Sequence, residues 1–318
     1  MIRILGTIFA GLLGLAFGSF LNVCLSRWPQ GESIVHPRSH CRNCDHQLSW
    51  WENIPLISWL ALRGCCRNCH TWIGWRYPLV EFTLGILWAV SAWNLMVRLS
   101  DLVTNDVLSP QSRVALTAIF VEGAFRAIIL FWILLALAIL DAEHLWLPDR
   151  LTIPGIVFGY ISTVLAAFLP AYYYGLHAGL STTERNHAWK DLGSSSLYDL
   201  LAIFAAALLI LAIRWIYKLI RHREGIGLGD AKLMAMLAAW LGLPGALLAF
   251  ALGVVIGTVV ALAVLVSPSL RRDPSAHTDS TLWSASKLPL GTFLCIGGII
   301  ASLWGQPIIA AYLRWSGL

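Results

Sequence analysis

Charge is what this sequence has least of. Only 12% of its 318 residues are Asp, Glu, Lys or Arg, against 58% hydrophobic, whereas soluble domains carry about 25% charged residues. That shortage excludes an ordinary soluble domain. With a mean hydropathy of +0.71, it points to an all-α polytopic membrane protein. A basic stripe is also missing, so the net charge of +5 does not read as nucleic-acid binding. Glycines alternate at 225, 227 and 229, but no Gly-Lys-Ser/Thr follows them, which weakens a phosphate-loop reading. No small-x-small cleavage site follows the first apolar run. That run, about 22 residues, exceeds the 7–15 of a signal peptide's apolar region, so it reads as a retained span.

Long apolar runs are abundant. A membrane crossing needs about 20 apolar residues, and eight segments qualify or nearly so: 4–25, 78–97, 115–140, 151–173, 198–219, 230–243, 244–266 and 289–312. The sixth is short, and Pro244-Gly245 marks its turn into the seventh. The loops 26–77, 141–150, 220–229 and 267–288, with the adjoining Lys218 and Lys232, hold 14 of the 22 Lys and Arg. The positive-inside rule then predicts these loops in the cytoplasm and both termini outside. The stretch 174–197 reads as a solvated outer connection.

The first cytoplasmic loop carries Cys41-Arg42-Asn43-Cys44 and Cys66-Arg67-Asn68-Cys69. Two C-x-x-C knuckles 21 residues apart suit one tetrahedral zinc held by four thiolates. With no open position, such a metal braces the loop. Disulfides and free thiols are the alternatives, the former disfavoured in a reducing cytoplasm. Cys65 could displace Cys66, but the symmetry of the knuckles favours Cys66. Cys24 and Cys295 read as packing residues.

Acids within spans are costly and mark function by default. Asp141 closes the third segment in Leu140-Asp141-Ala142-Glu143, and Asp230 opens the sixth in Gly227-Leu228-Gly229-Asp230. The charge-derived topology puts both at cytoplasmic helix ends, where two carboxylates could share a proton and act as base and acid on a peptide bond. Singly, Asp230 could equally be a helix N-cap and Asp141 a boundary charge in water.

Taken in order, these features resemble the type IV prepilin peptidases, a family of Gly-x-Gly-Asp intramembrane aspartyl proteases. The resemblance includes Gly18-Ser19-Phe20-Leu21-Asn22-Val23, the two knuckles with Asn53-Ile54-Pro55-Leu56 between them, and Arg76-Tyr77-Pro78-Leu79-Val80-Glu81. It continues through Leu147-Pro148-Asp149 and Ala238-Ala239-Trp240-Leu241-Gly242. It implies an aspartic endopeptidase of the bacterial inner membrane with Asp141 and Asp230 as its dyad. It also implies cleavage of prepilins or pseudopilins after a Gly at the cytoplasmic face, and methylation of the new N-terminus from S-adenosylmethionine. Asp149 then starts a helix beside the site. Glu81 is a candidate for the methyl-donor site, although an interfacial charge explains it about as well. The resemblance divides the chain into 1–97, with the four-Cys loop and methyl transfer, and 98–318, the peptidase. Arg42 replaces the family's usual Pro, Cys65 its common Lys, and Leu288-Pro289-Leu290-Gly291-Thr292-Phe293 only approximates its C-terminal motif. The competing readings are a proton-carrying transporter, a zinc-braced assembly scaffold, and a peptidase without methyltransferase activity.

Overall fold

In the computed structural model, residues 1–104, 109–177, 182–222, 227–266 and 288–317 are described. The chain forms two compact units, Met1–Ala136 and Leu137–Leu318. Among the described residues there is no strand, only isolated bridges His40–Gln47 and Cys65–Trp72 in the cysteine loop.

In the first unit, α1 (Ile2–Arg27) packs on α3 (Arg76–Thr104), with the short α2 (Ile57–Ala61) in the loop between them. Hydrocarbon gives apolar helices little reason to associate, so close approach of small residues must do so. Gly14 and Gly18 supply it as a G-x-x-x-G pair: a Cβ on Gly18 would sit 2.6 Å from the Glu81 Cα. Next to them Asn22 donates Nδ2 to the Tyr77 carbonyl at 2.9 Å. The Trp132 indole of α4 (Pro110–His144) donates to the Phe17 carbonyl and stacks on Phe20.

The second unit comprises the end of α4, then α5 (Asp149–His177), α6 (Thr182–Arg221), α7 (Leu228–Val266) and α8 (Leu290–Ser316). Helix α7 packs against α5, α6 and α8. Trp240 donates Nε1 to the Gly155 carbonyl at 2.9 Å, and Thr163 donates to that of Ala239. The Ala238–Gly242 segment is therefore the seam between α5 and α7.

Seven described helices are long and apolar enough to cross a membrane. One of them, α7, has 39 residues, about 58 Å at 1.5 Å per residue against a hydrocarbon core of about 30 Å. Gly242, at φ 69°, breaks it, a conformation that costs only glycine nothing. The nearby Pro244 cannot donate to the preceding turn. The sixth and seventh segments are thus separate helices, broken two residues before the expected turn. The expected connection 174–197 is largely helical where described: α5 runs to His177 and α6 begins at Thr182, with 178–181 outside the described residues, and the candidate spans on either side are Asp149–Phe168 and Gly193–Arg221. Apolar runs mark where a helix meets lipid, and polar helix formers such as Glu184 and Lys190 continue it beyond. Loop 267–288, apart from Leu288, residues 223–226 of the loop 220–229 and 105–108 of the connection 98–114 also fall outside the described residues.

Candidate functional site

The cysteine loop builds its knuckles twice over. In the first, the Cys41 N–H donates to His46 and Asp45 N–H returns to Cys41. In the second, Cys66 N–H donates to Thr71 and His70 N–H returns to Cys66, all at 2.9–3.0 Å. Asp45 and His70, each four residues after its knuckle's first cysteine, both turn through positive φ, a conformation Asp and His tolerate better than most residues. The repeated Cys-Arg-Asn-Cys therefore folds into a repeated loop, and the four sulfurs of Cys41, Cys44, Cys66 and Cys69 lie within 4.8 Å of one another.

Their spacing fits a metal. Sγ–Sγ is 3.7 Å for Cys41–Cys69 and 3.9 Å for Cys44–Cys66. A regular tetrahedron with metal–sulfur bonds of about 2.3 Å has edges of about 3.8 Å. The Asn68 amide donates to the Cys44 sulfur, and Asn43 supports Cys69 in the same way. The Thr71 hydroxyl and backbone N–H, with Asn43, hold the Cys69 thiol down to about 5. Against the Asn43 backbone N–H, loss of water and the neighbouring Cys66 and Cys69 push Cys41 up to about 11. Crowded thiols that resist a common ionised state are what a cation would relieve. Cys65 bonds the Arg63 carbonyl instead, and Cys24 and Cys295 are buried.

Glu52 sits in the same loop, 6% exposed. The Ser49 backbone N–H, donating at 2.8 Å, outweighs burial and, with the Ser49 hydroxyl and His46, keeps this carboxyl below the usual range. A depressed carboxyl contributes stability above its unfolded value of about 4.3, lost as pH falls through the lower folded value. Glu52→Gln should therefore lower the protease resistance of the loop at pH 6–7 and narrow the native–variant gap below about pH 4. A gap that stays constant across that range would rule this coupling out.

Glu81 is buried in α3 and lines, with Ser19 and Asn22, a cavity of about 1050 Å³ under the loop. Its Oε2 accepts the Leu56 N–H at 2.8 Å. A lone interfacial charge in water is thus not its state.

In the second unit Asp141 and Asp230 are 6% and 8% exposed, and Leu147 lies against both Gly229, next to Asp230, and Gly291, beside the Asp141 carboxylate. Asp141 Oδ2 accepts the Thr292 N–H at 2.7 Å and the Thr292 hydroxyl at 3.2 Å. These donors belong to the first turn of α8, whose dipole favours an anion. The single Thr292 hydroxyl proton is shared between Asp141 and the nearer Ala138 carbonyl, at 2.9 Å, tying α8 to the end of α4. A Cβ on Gly291 would lie 2.9 Å from Asp141 Oδ2, so only glycine lets the helix start approach that closely. Asp230 Oδ2 accepts the Gly227 N–H at 3.1 Å.

Of the alternating glycines, Gly225 lies outside the described residues, Gly227 serves Asp230, and Gly229 packs on Leu147. Asp149 starts α5 and pairs with Lys232 at 2.5 Å, joining the beginnings of α5 and α7. Glu122 faces Arg126 one turn along α4 at 3.7 Å. Sequence reasoning gave Thr292 no role; its one signal was a hydroxyl residue, just before an apolar run, in a motif that departs from the family pattern.

Residues 12–95 match the bacterial peptidase A24 N-terminal domain, and residues 128–262 match the type IV leader peptidase family. Similar curated proteins include three named prepilin leader peptidase/N-methyltransferase. The one from Stutzerimonas stutzeri is 33% identical, covering 96% of this chain and 93% of its own. Those from Pseudomonas aeruginosa and Aeromonas salmonicida are 32% and 31% identical, covering 96% and 95% of this chain and 93% and 92% of theirs. No solved structure matches.

Proposed function

The chain belongs to the type IV leader peptidase family, and from that premise we propose that it cuts prepilins or pseudopilins after a Gly at the cytoplasmic membrane face, using Asp141 and Asp230. It is a protease with methyltransferase activity. The carrying observation is the pair of buried carboxylates that one compact unit holds at the end of α4 and the start of α7.

Two such carboxyls share a proton, and their surroundings give them different roles. Asp141, with the Thr292 N–H, a share of the Thr292 hydroxyl proton and a helix N-terminus, is the ionised member and takes a proton from water as the water oxygen attacks the scissile carbonyl carbon. Asp230, with one donor, carries the shared proton and gives it to the carbonyl oxygen. Collapse of the tetrahedral adduct breaks the C–N bond: the proton held by Asp141 passes to the departing amine, and one hydroxyl of the adduct returns its proton to Asp230 as the carbonyl re-forms. The Asp149–Lys232 pair keeps the two motif helices together.

The four thiolates Cys41, Cys44, Cys66 and Cys69 hold a structural zinc, which supplies bracing and no open position. Methyl transfer belongs to residues 1–97 and cleavage to 98–318, with S-adenosylmethionine as methyl donor and Glu81 at its site. The charge bias supports an inner-membrane protein with both termini outside the cytoplasm.

The test is purified chain co-reconstituted with a prepilin, followed by mass spectrometry. Leader loss at the Gly and a further ~14 Da on the product (a methyl in place of one hydrogen, a net gain of CH2) are expected. An intact precursor across several prepilin and pseudopilin clients would overturn the reading.

Thr292 offers a second test as a positioning residue. Hydrogen bonds to a charged group contribute about 1.5–3 kcal/mol, so Thr292→Val should lower kcat roughly 10- to 100-fold with KM little changed. Thr292→Ser should restore most of it. A loss carried by KM, or no rescue by serine, would assign Thr292 to packing.

A further inference from the structure

The cysteine loop carries an apolar face that neither proposed activity uses and that no described residue covers. The short helix α2 leaves Ile57 and Leu60, one turn apart, 63% and 67% exposed. On the same helix Trp59 packs on Trp72 and Trp75, with ring centroids 5.7 and 4.4 Å away, and those two rings are 5.9 Å apart. The cluster is fixed from the loop side. Trp59 donates Nε1 to the Ile73 carbonyl at 3.0 Å. A Cβ on Gly64 would lie 2.6 Å from the Trp72 ring and 2.9 Å from that of Trp59. Much of Trp72 and Trp75 nevertheless stays open. Single exposed apolar residues need no explanation, but a contiguous group of them marks an interaction surface.

The patch is continuous with a face of α3 that meets lipid. The Leu79 N–H donates to the Trp75 carbonyl at 3.2 Å, so Trp75 stands in register with that helix. Trp75, Leu79, Phe82 and Ile86 then fall at i, i+4, i+7 and i+11, which is one helix face, and all four are exposed. Height agrees as well as direction. Helix α3 is one of the candidate spans and has 29 residues, about 43 Å at 1.5 Å per residue. A bilayer with its headgroup regions is about 40–45 Å thick around a hydrocarbon core of about 30 Å. Centred in it, α3 has its first turn among the headgroups, where Trp is enriched. Contact with Trp75 puts Trp59, and so α2, at the same level. A docked protein would end where the lipid-facing stripe of α3 begins, whereas the bilayer interface covers both without a break.

We propose that the cysteine loop is a membrane-surface anchor: α2 and the Trp59–Trp72–Trp75 cluster rest in the phospholipid interface beside the first turn of α3, with Ile57 and Leu60 in contact with lipid. The partner is the bilayer itself. It gives the loop a third attachment besides α1 and α3, and it holds the four cysteines at a fixed height on the membrane.

The test uses the full zinc-loaded chain in phospholipid nanodiscs doped with a phospholipid that carries a photoreactive diazirine just below its headgroup. After irradiation, mass spectrometry of peptides should find lipid adducts on 57–75 as well as on Leu79–Ile86. Ile57→Asn combined with Leu60→Glu should lower the adducts on 57–62 at least ~5-fold, with those on Leu79–Ile86 and the zinc content unchanged. Both side chains are exposed, so the double variant removes no core packing. Hydroxyl-radical oxidation of Trp72 and Trp75 is read on the same samples. Absence of adducts from 57–75 beside a labelled α3 would overturn the proposal: rapid oxidation would then place the patch in water, and slow oxidation would place it under a second copy of this chain or another protein segment. Adducts on 57–62 that persist in the double variant would overturn it too, because the apolar side chains would not be what holds the loop to lipid.

Discussion

Asp141→Asn and Asp230→Asn should each reduce leader cleavage by at least ~10²–10⁴-fold, the usual contribution of a positioned acid or base, without altering zinc content. The two losses should be similar, and the double variant little worse than either, because groups that act on one proton are non-additive. Asparagine keeps the shape and accepts the Thr292 and Gly227 donors through its carbonyl oxygen, but it neither takes nor gives a proton. Loss of rate therefore reports chemistry rather than packing. Rate measured on a reconstituted prepilin decides it. Activity surviving in either variant would remove that residue from the mechanism. Glu143 and Asp149 are poor substitutes: Asp149 is already paired with Lys232, and Glu143 sits 3.9 Å from His144 on an exposed stretch.

How far the sequence alone revealed this arrangement depended on the kind of signal. The cage was legible to the residue, because C-x-x-C spacing is a local property and the second knuckle repeats the first. Among the described residues, the sulfurs of Cys41, Cys44, Cys66 and Cys69 cluster as the spacing selected. The break in α7 was legible from length, since no single crossing is 39 residues long. Two acids at matched helix ends were legible as a charge anomaly in apolar sequence, and both prove buried in one unit.

What escaped were partners distant in sequence. Thr292 reaches Asp141 across 151 residues, and hydroxyl residues are too common for composition to flag one of them. The polar beginning of α6 escaped for another reason. Hydropathy reports the lipid contact of a helix, whereas Thr182–Leu197 is held helical by continuity with the apolar run that follows. Asn22 stood in a motif quoted for resemblance alone; its bond to the Tyr77 carbonyl is a property of the folded pair α1–α3.

Cys41→Ser combined with Cys44→Ser should take zinc from about one per chain to none and unfold the loop between α1 and α3 while the helices persist. The expectation follows from how little apolar burial holds that loop. Among its described residues, Cys66 is the one apolar side chain in the buried core, and Trp50, Trp72 and Trp75 are 78%, 52% and 63% exposed. The contacts of Trp59 with Trp72 and Trp75 contribute about 0.5–1.5 kcal/mol each. Structural zinc in small metal-dependent folds contributes about 10–16 kcal/mol, so the metal dominates by an order of magnitude. Removing two of four thiolates also leaves Cys66 and Cys69 without their neighbouring sulfurs and Asn68 without the Cys44 sulfur to which it donates. Elemental analysis and limited proteolysis at pH 7 check both halves. Cleavage within 41–72 should become rapid in the double variant and in chelator-treated native protein alike, and added zinc should reverse only the latter. A loop that resists protease equally in native and zinc-free forms would mean that its backbone hydrogen bonds suffice. The cage would then be a passenger on a fold it does not maintain.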